Sequence, residues 1–292
     1  MGSTARFMPL NRWTSSASTI TAFDEVSTFP ASNTKIQQRS RLYRSQSLSG
    51  IPFLKADLGA SYILGGVAFS SHNLTKDAVW HITVSNNSDL SSPTFVATGL
   101  NVWEPWMGTR LTEFSDSAGK PSAEMIKLLE FCAENPRVVR WHVFPSEVTG
   151  RYVRLQFDDP TNTDGYIEVA WCYAGRVISL DENVLYNWQI QPDDVVRKHI
   201  SAYGQRWIDI LHRKVRIKAG FNPQNSNIAW AFWQFLFDNL GQTGEMVLAL
   251  RDDDLTDRFW FSLYCRLAGV PPMQRTGYEQ YGLSIDFEEL TG

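Results

Sequence analysis

Short runs in which apolar and polar residues alternate limit most strongly how this chain can fold. Residues 79–85 and 214–219 show this alternation, and successive side chains of a β-strand point to opposite faces of a sheet. Turn-forming residues separate such runs, as residues 86–89 (NNSD) do after the first of them. The pattern therefore predicts a mainly β protein built from half-buried strands.

The length of 292 residues is enough for two domains of ordinary size. Residues 1–180 carry equal numbers of basic and acidic side chains, whereas the whole net charge of −4 falls in residues 181–292. The strand pattern also changes near residue 180. We therefore predict a first domain over residues 1–180 and a second over residues 181–292.

A strongly apolar segment, residues 228–237 (IAWAFWQFLF), lies in the predicted second domain. Ser226 or Asn227 can cap a helix there, and Gly241 can end it near residue 240. A surface helix normally has one apolar stripe, but this segment is apolar on nearly every side. A domain of about 110 residues covers two faces of a helix with difficulty, so a neighbouring subunit is expected to cover the rest. The predicted interface residues are Trp230, Trp233 and Phe237.

Charged residues of the second domain suggest how such copies are oriented. Lys214, Arg216 and Lys218 alternate with apolar residues, which places the cations on one face of a strand. An acidic run follows later at Asp252, Asp253 and Asp254. Opposite charges of this kind can set the register between neighbouring copies. A solvated loop and a cation site are the other interpretations of the acidic run.

Residues 101–120 of the first domain read as a long loop, and residues 122–132 as a helical insert. The loop contains Trp103, Glu104 and Trp106, with Arg110 close behind. Indole rings stack on the apolar faces of sugars, and Glu or Arg can bind sugar hydroxyls. The same residue types anchor protein interfaces, and local packing of the loop explains them as well. All three interpretations remain open from the sequence.

Catalytic and cofactor-binding motifs are absent from the sequence. It has no Gly-x-Ser-x-Gly elbow, no phosphate-binding loop and no dinucleotide fingerprint. Its five histidines lack metal spacing, and residues 158–165 (DDPTNTDG) fit a hairpin loop better than a calcium loop. Carboxylates at Glu104, Glu113 and Asp116 leave a hydrolase as the weakest alternative. We expect no enzyme activity, no cofactor and no metal site.

The composition and the length of the apolar runs argue against several further classes of protein. The net charge of −4 argues against a dedicated nucleic-acid binder. The sequence contains no run of 18 apolar residues, so we expect no transmembrane helix. The three cysteines are widely spaced, which fits folding in a reducing cytoplasm.

Four short strings in the first 176 residues resemble the discoidin, or coagulation factor 5/8 type C, family. They are KADLG at residues 55–59, WHITVS at 80–85, RYVRL at 151–155 and GYIEV at 165–169. The terminal cysteine pair of the secreted members is absent. The resemblance implies a jelly-roll β-sandwich for the first domain.

The whole chain also resembles tail-tip or baseplate (minor tail) proteins of tailed bacteriophages. The strings that carry this resemblance are Asn11 with Trp13, YRS at residues 43–45, SSHNLT at 70–75 and LSIDFEEL at 283–290. It implies a second domain like the β-barrels of tail tubes, with one apolar helix.

The tail-tip resemblance also implies a function and a place. The expected function is structural: copies assemble into a ring with one another and with other tail proteins, in a virion made in the host cytoplasm. The alternative is a carbohydrate-binding module that recognises cell-surface glycans.

Overall fold

The computed structural model describes residues 5–36, 38, 40–75, 77–103, 139–179, 188–200, 206–250 and 262–290. The chain folds into two compact units. The first unit contains residues 10–177, and the second combines the N-terminal residues up to Pro9 with most of the chain from Ile178 onward. The predicted helical insert, and residues 180–187 where the domain boundary is expected, lie outside the described residues.

The mainly β class predicted from the alternation is confirmed. The described strands are β1 (Arg6–Met8), β2 (Thr19–Ala22), β3 (Tyr43–Arg44), β4 (Phe53–His72), β5 (Val79–Ser85), β6 (Phe95–Asn101), β7 (Arg140–Asp158), β8 (Glu168–Gly175), β9 (Ile178–Ser179), β10 (Gln189–Ile200), β11 (Arg206–Asn225), β12 (Glu245–Ala249), β13 (Ser262–Leu267), β14 (Met273–Gly277) and β15 (Gln280–Glu289). A 3-10 helix covers Ala31–Lys35, and helix α1 (Ser226–Phe235) continues into a π-helical segment, Leu236–Leu240.

The first unit is a β-sandwich in which two long strands, β4 and β7, take part in both layers. The first half of β4 pairs with β2 and with the second half of β7, which also pairs with β5. The second half of β4 pairs with β8 and with the start of β7. The Gly65-Gly66 pair lies at a register shift within β4. A Cβ on Gly66 would lie 2.7 Å from the His142 carbonyl oxygen, so this close approach favours glycine.

Apolar side chains from both layers fill the sandwich. Phe69 packs edge-on against Trp80 and Phe157, with ring centroids 5.0 and 5.2 Å apart. Ile82 and Val84 are completely buried on the same core, as the alternation of residues 79–85 predicts. Each such side chain contributes about 1.5–3 kcal/mol through burial, so this core holds the strand ends in fixed positions.

The second unit is built on one antiparallel sheet with the strand order β10-β11-β15-β13-β12-β1-β9, and β14 pairs with β15. Helix α1 packs against both β11 and β15. Phe232 of the helix lies 5.3 Å from Phe7 between ring centroids, so the N-terminal strand shares the core of this unit. Gly241 ends the helical segment with a φ of 50°, as predicted.

The predicted closed barrel is not observed. Among the described strands, β10 and β9 lie at opposite ends of the sheet and do not pair. Strands β1 and β9 form the end of the sheet remote from β10.

The hairpin of β10 and β11 continues beyond the rest of the sheet. Strand β15 pairs with β11 only from Arg216 onward, whereas β10 pairs with β11 as far as Arg206. Within the described residues, the far half of this hairpin is therefore a two-stranded ribbon. No helix of the described residues is long and apolar enough to cross a membrane.

Candidate functional site

Several strands of the sandwich begin or finish at one end of it, here called the loop end. Strand β4 finishes at His72, and its Phe69 pairs with Arg140 at the start of β7. Val79, at the start of β5, pairs with the last residue of β6 and the last residue of β7. The connections that begin at residues 73, 102 and 159 therefore leave the sandwich from the same edge.

Four residues at this end form the loop-end cluster: His72 and Arg140, which both contact the ring of Trp103, Trp103 itself, and Ser71, the chain neighbour of His72. The guanidinium of Arg140 lies 4.4 Å from the centre of the Trp103 ring, and the His72 ring meets that indole edge-on at 5.7 Å. The indole N–H of Trp103 donates to the carbonyl oxygen of Leu74 at 2.9 Å. Two separate chain segments, residues 72–74 and the start of β7 at Arg140, thus hold one indole in a fixed orientation.

His72 in this cluster is a neutral histidine. Burial, with a smaller effect of the Arg140 charge, lowers the pKa of His72 to about 3. Its Nδ1 accepts the backbone N–H of Leu74 at 3.2 Å. The ring hydrogen therefore lies on Nε2, which makes that atom a hydrogen-bond donor.

Ser71 adds backbone strain to the cluster. Its φ of 54° lies in the left-handed region, which costs a residue with a Cβ about 1–2 kcal/mol. Its hydroxyl oxygen, like that of Ser70, is buried without a hydrogen-bond partner among the described residues. Strained backbone and unsatisfied buried polar groups concentrate at functional sites, so these features mark the loop end as a candidate binding site.

The acidic connection at the same edge is held by hydrogen bonds within the protein. Asp159 accepts the backbone N–H of Thr75 at 2.7 Å and its hydroxyl at 2.6 Å, and Asn162 also donates to it at 3.3 Å. Gly165 closes the turn with a φ of 77°. The connection joins β7 to β8, and these two strands pair with β4 on either side and not with each other. The hairpin interpretation of residues 158–165 is therefore wrong, and the segment is a loop that crosses between two strands. No cluster of possible metal ligands exists within the described part of the chain.

Of the predicted sugar platform, the structure describes Trp103 alone. Glu104, Trp106 and Arg110 lie outside the described residues, as do the alternative hydrolase carboxylates Glu113 and Asp116. The sequence did not predict Ser71, His72 or Arg140 as site residues. Their only shared signal is a position at a strand end, and strand pairing alone brings those ends together.

The second unit presents the predicted interface aromatics as one row, here called the aromatic row: Trp230, Trp233 and Phe237. Trp233 stacks on Phe237 with centroids 5.4 Å apart, and Trp230 meets Trp233 edge-on at 5.9 Å. About half of Trp230 (50%) and of Phe237 (53%) is exposed. The indole N–H of Trp233 donates to the carbonyl oxygen of Pro271 at 2.8 Å, which fixes the central ring.

The cations predicted to face a neighbouring copy differ in their surroundings. Lys214 pairs with Glu288 and lies 3.5 Å from Asp193, and Arg216 lies 3.1 Å from Asp193. The hydrogen bond from Lys214 lowers the pKa of Glu288. Lys218 is exposed and has no ion-pair partner among the described residues. The acidic residues Asp252, Asp253 and Asp254 lie outside the described residues, so their pairing with another copy stays a prediction.

No protein-family model matches this sequence, and no curated protein matches it. Several solved structures are similar to part of the chain. A galactose-bound family 32 carbohydrate-binding module from C. perfringens NanJ is 16% identical, with a TM-score of 0.39 over 59% of this chain and 99% of that one.

Two further solved structures show a similar degree of likeness. A fucose-binding module from Streptococcus pneumoniae is 11% identical, with a TM-score of 0.36 over 57% of this chain and 96% of that one. A chitosan-binding module from a Paenibacillus sp. IK-5 chitosanase/glucanase is 15% identical, with a TM-score of 0.37 over 56% and 98%.

Proposed function

We propose that this chain is a non-catalytic protein whose sandwich binds a glycan at its loop end. The observation that carries this proposal is the loop-end cluster, in which Trp103, His72 and Arg140 come together from three strand ends. A sugar needs an aromatic ring against its C–H face and donors for its hydroxyls. The indole of Trp103 supplies the ring, and neutral His72, Arg140 and Ser71 supply N–H or O–H groups.

Pre-organisation supports binding at this position. The N–H of Trp103 is already hydrogen-bonded to Leu74, so the ring need not be ordered when a ligand arrives, and the entropic cost of binding is smaller. A buried hydroxyl without a partner gains a hydrogen bond when a ligand hydroxyl reaches it. Both effects favour a polar ligand that also has an apolar face.

A glycan array that includes galactose-, fucose- and glucosamine-containing oligosaccharides tests the proposal with the full chain. The Trp103→Ala variant should lose roughly tenfold or more in affinity, because a well-placed aromatic contact of about 1.4 kcal/mol corresponds to a factor of ten. Trp230→Ala removes an exposed indole from the second unit and is the matched control. Absence of any saturable glycan signal, or equal binding by both variants, contradicts the proposal.

Assembly into a larger structure is the second candidate function, favoured by the aromatic row. Exposed Trp230 and Phe237 present apolar area that a protein partner can cover, and tryptophan dominates the energy of many interfaces. The two-stranded ribbon of β10 and β11 also favours assembly, because an isolated hairpin is only marginally stable in water and a partner can stabilise it. A ring in a phage tail tip is the setting that the sequence resemblance implies.

Sedimentation velocity over a wide concentration range tests assembly. Wild-type protein should form a defined oligomer, and Trp230→Ala should weaken it, with Trp103→Ala as the control. A chain that stays monomeric at the highest concentration, alone and with purified tail proteins, would exclude this second function.

A further inference from the structure

A cavity of about 350 Å³ lies on the outer face of the second unit's sheet. Its walls are Arg216 and Lys218 of β11, Ser284 and Asp286 of β15, and residues 268–272. On both strands these polar residues alternate with residues buried on the core side, among them Ile217, Ala219 and Ile285. The cavity therefore opens away from the core, toward solvent.

The wall formed by residues 268–272 is held in place by two hydrogen bonds. The backbone N–H of Ala268 donates to the Asp286 carbonyl oxygen at 2.9 Å, and the carbonyl oxygen of Pro271 accepts the indole N–H of Trp233 at 2.8 Å. Two consecutive prolines, Pro271 and Pro272, restrict this segment further. The cavity is thus largely formed before a ligand arrives, which lowers the cost of binding.

Charge in the cavity favours an anion. Lys218 and Asp286 are directly opposite each other in the β11–β15 ladder, yet they do not form an ion pair within 4 Å, and Lys218 has none elsewhere among the described residues. Arg216 shares its one described ion-pair partner, Asp193, with Lys214. An ammonium group without an ion-pair partner beside a half-exposed guanidinium is suited to carboxylates.

We propose that this cavity receives the acidic run Asp252, Asp253 and Asp254 of a second copy of this chain. The proposal rests on the assembly function above and names its contact. Charge complementarity argues for this occupant, because the chain itself carries three adjacent carboxylates whose sign is opposite to that of Lys218 and Arg216. The aromatic row adjoins the cavity through Pro271, so apolar burial and charge pairing act on one continuous surface.

A labelled synthetic peptide with the sequence of residues 249–258, ALRDDDLTDR, is the first probe. Binding to the full wild-type chain should be saturable, and it should weaken roughly tenfold or more in Lys218→Glu, because the variant replaces a charge-assisted contact by repulsion between like charges. Lys218→Gln should fall between the two. The matched control is Arg275→Glu, which reverses an exposed charge of the same unit outside the cavity. Circular dichroism and Tm check that each variant folds.

Mixing complementary variants tests whether the occupant is a second copy. Lys218→Asp alone, and the triple change of Asp252, Asp253 and Asp254 to Lys alone, should each self-associate less than wild type. Their mixture should recover association, because one variant offers a reversed cavity and the other a reversed run. Equal peptide binding by wild type and Lys218→Glu, or no recovery in the mixture, overturns the proposal. Loss of association in Trp230→Ala but not in Lys218→Glu would leave the assembly function intact and reject this contact alone.

Discussion

Replacing Ser71 by glycine should stabilise the sandwich while weakening its binding to glycans. Removing the Cβ relieves the strain of the left-handed backbone, which raises the free energy of unfolding by about 1–2 kcal/mol. The greater conformational freedom of glycine in the unfolded chain lowers it by about 0.4–1 kcal/mol. The buried hydroxyl without a described partner is also removed, which recovers about 1–3 kcal/mol of desolvation cost. The net expectation is a gain of about 1–5 kcal/mol in the free energy of unfolding.

Urea unfolding of the full chain, fitted for each transition observed, measures this gain. Ser92→Gly is the matched control, since Ser92 also has a positive φ of 48° but is exposed. Only the backbone effects apply there, so it should gain about 0–1.5 kcal/mol. Affinity for the best glycan on the array should fall in Ser71→Gly and stay unchanged in Ser92→Gly.

The outcome that refutes this reasoning is a Ser71→Gly protein no more stable than Ser92→Gly. That result would mean that the Ser71 hydroxyl has a hydrogen-bond partner in solution and that its burial does not lower the stability of the fold. A stabilised variant with unchanged glycan affinity would separate the strain from binding and remove Ser71 from the proposed site.

Three further predictions concern the two units separately. Gly175→Ala should destabilise the sandwich by about 1–3 kcal/mol, because the new Cβ would lie 2.2 Å from the Leu10 carbonyl oxygen; Gly269→Ala, which meets no atom within 4 Å, should change unfolding little. The fold lowers the pKa of His72 from 6.5 to about 3, so its stabilising contribution is present above pH 6.5 and is lost as the pH falls toward 3. The His72→Asn variant should therefore show a free energy of unfolding that depends less on pH between 6.5 and 3. An unchanged pH profile would show that His72 ionises normally. Phe232→Ala should cost about 3–5 kcal/mol, because this ring is buried against Phe7, whereas Trp230→Ala should cost under about 1 kcal/mol; similar costs in chemical denaturation would mean that Trp230 is not the exposed side of the helix.

Local features of the fold were predictable from the sequence. The strand over residues 79–85 follows from alternation alone, and the helical segment that ends before Gly241 follows from capping and from the positive φ that glycine accepts. Neighbouring residues determine each of these features, so a short stretch of sequence contains the necessary information.

Long-range pairing explains what the sequence did not predict. Strand β1 joins the second unit by pairing with Val247–Ala249, which lie far along the chain, and no local pattern indicates that partner. The strand order of the open sheet, with β10 at one end and β9 at the other, likewise depends on pairing between distant segments. The loop-end cluster likewise joins residues 71–72, 103 and 140, which only the strand register brings together.

Partners within the chain also changed the expected roles of the charges. Alternation correctly placed Lys214, Arg216 and Lys218 on the outer face of a strand. It could not show that Glu288 and Asp193 already pair with Lys214. Lys218 therefore remains the strongest candidate for a charge that faces another molecule.

Hydrogen–deuterium exchange with and without the tightest-binding glycan tests the central claim most directly. Binding at the loop end should slow exchange of the backbone amides of residues 71–75 and 102–103, and leave the amides of α1 and β11 unchanged. Protection confined to the second unit, or to the opposite edge of the sandwich, would contradict the account.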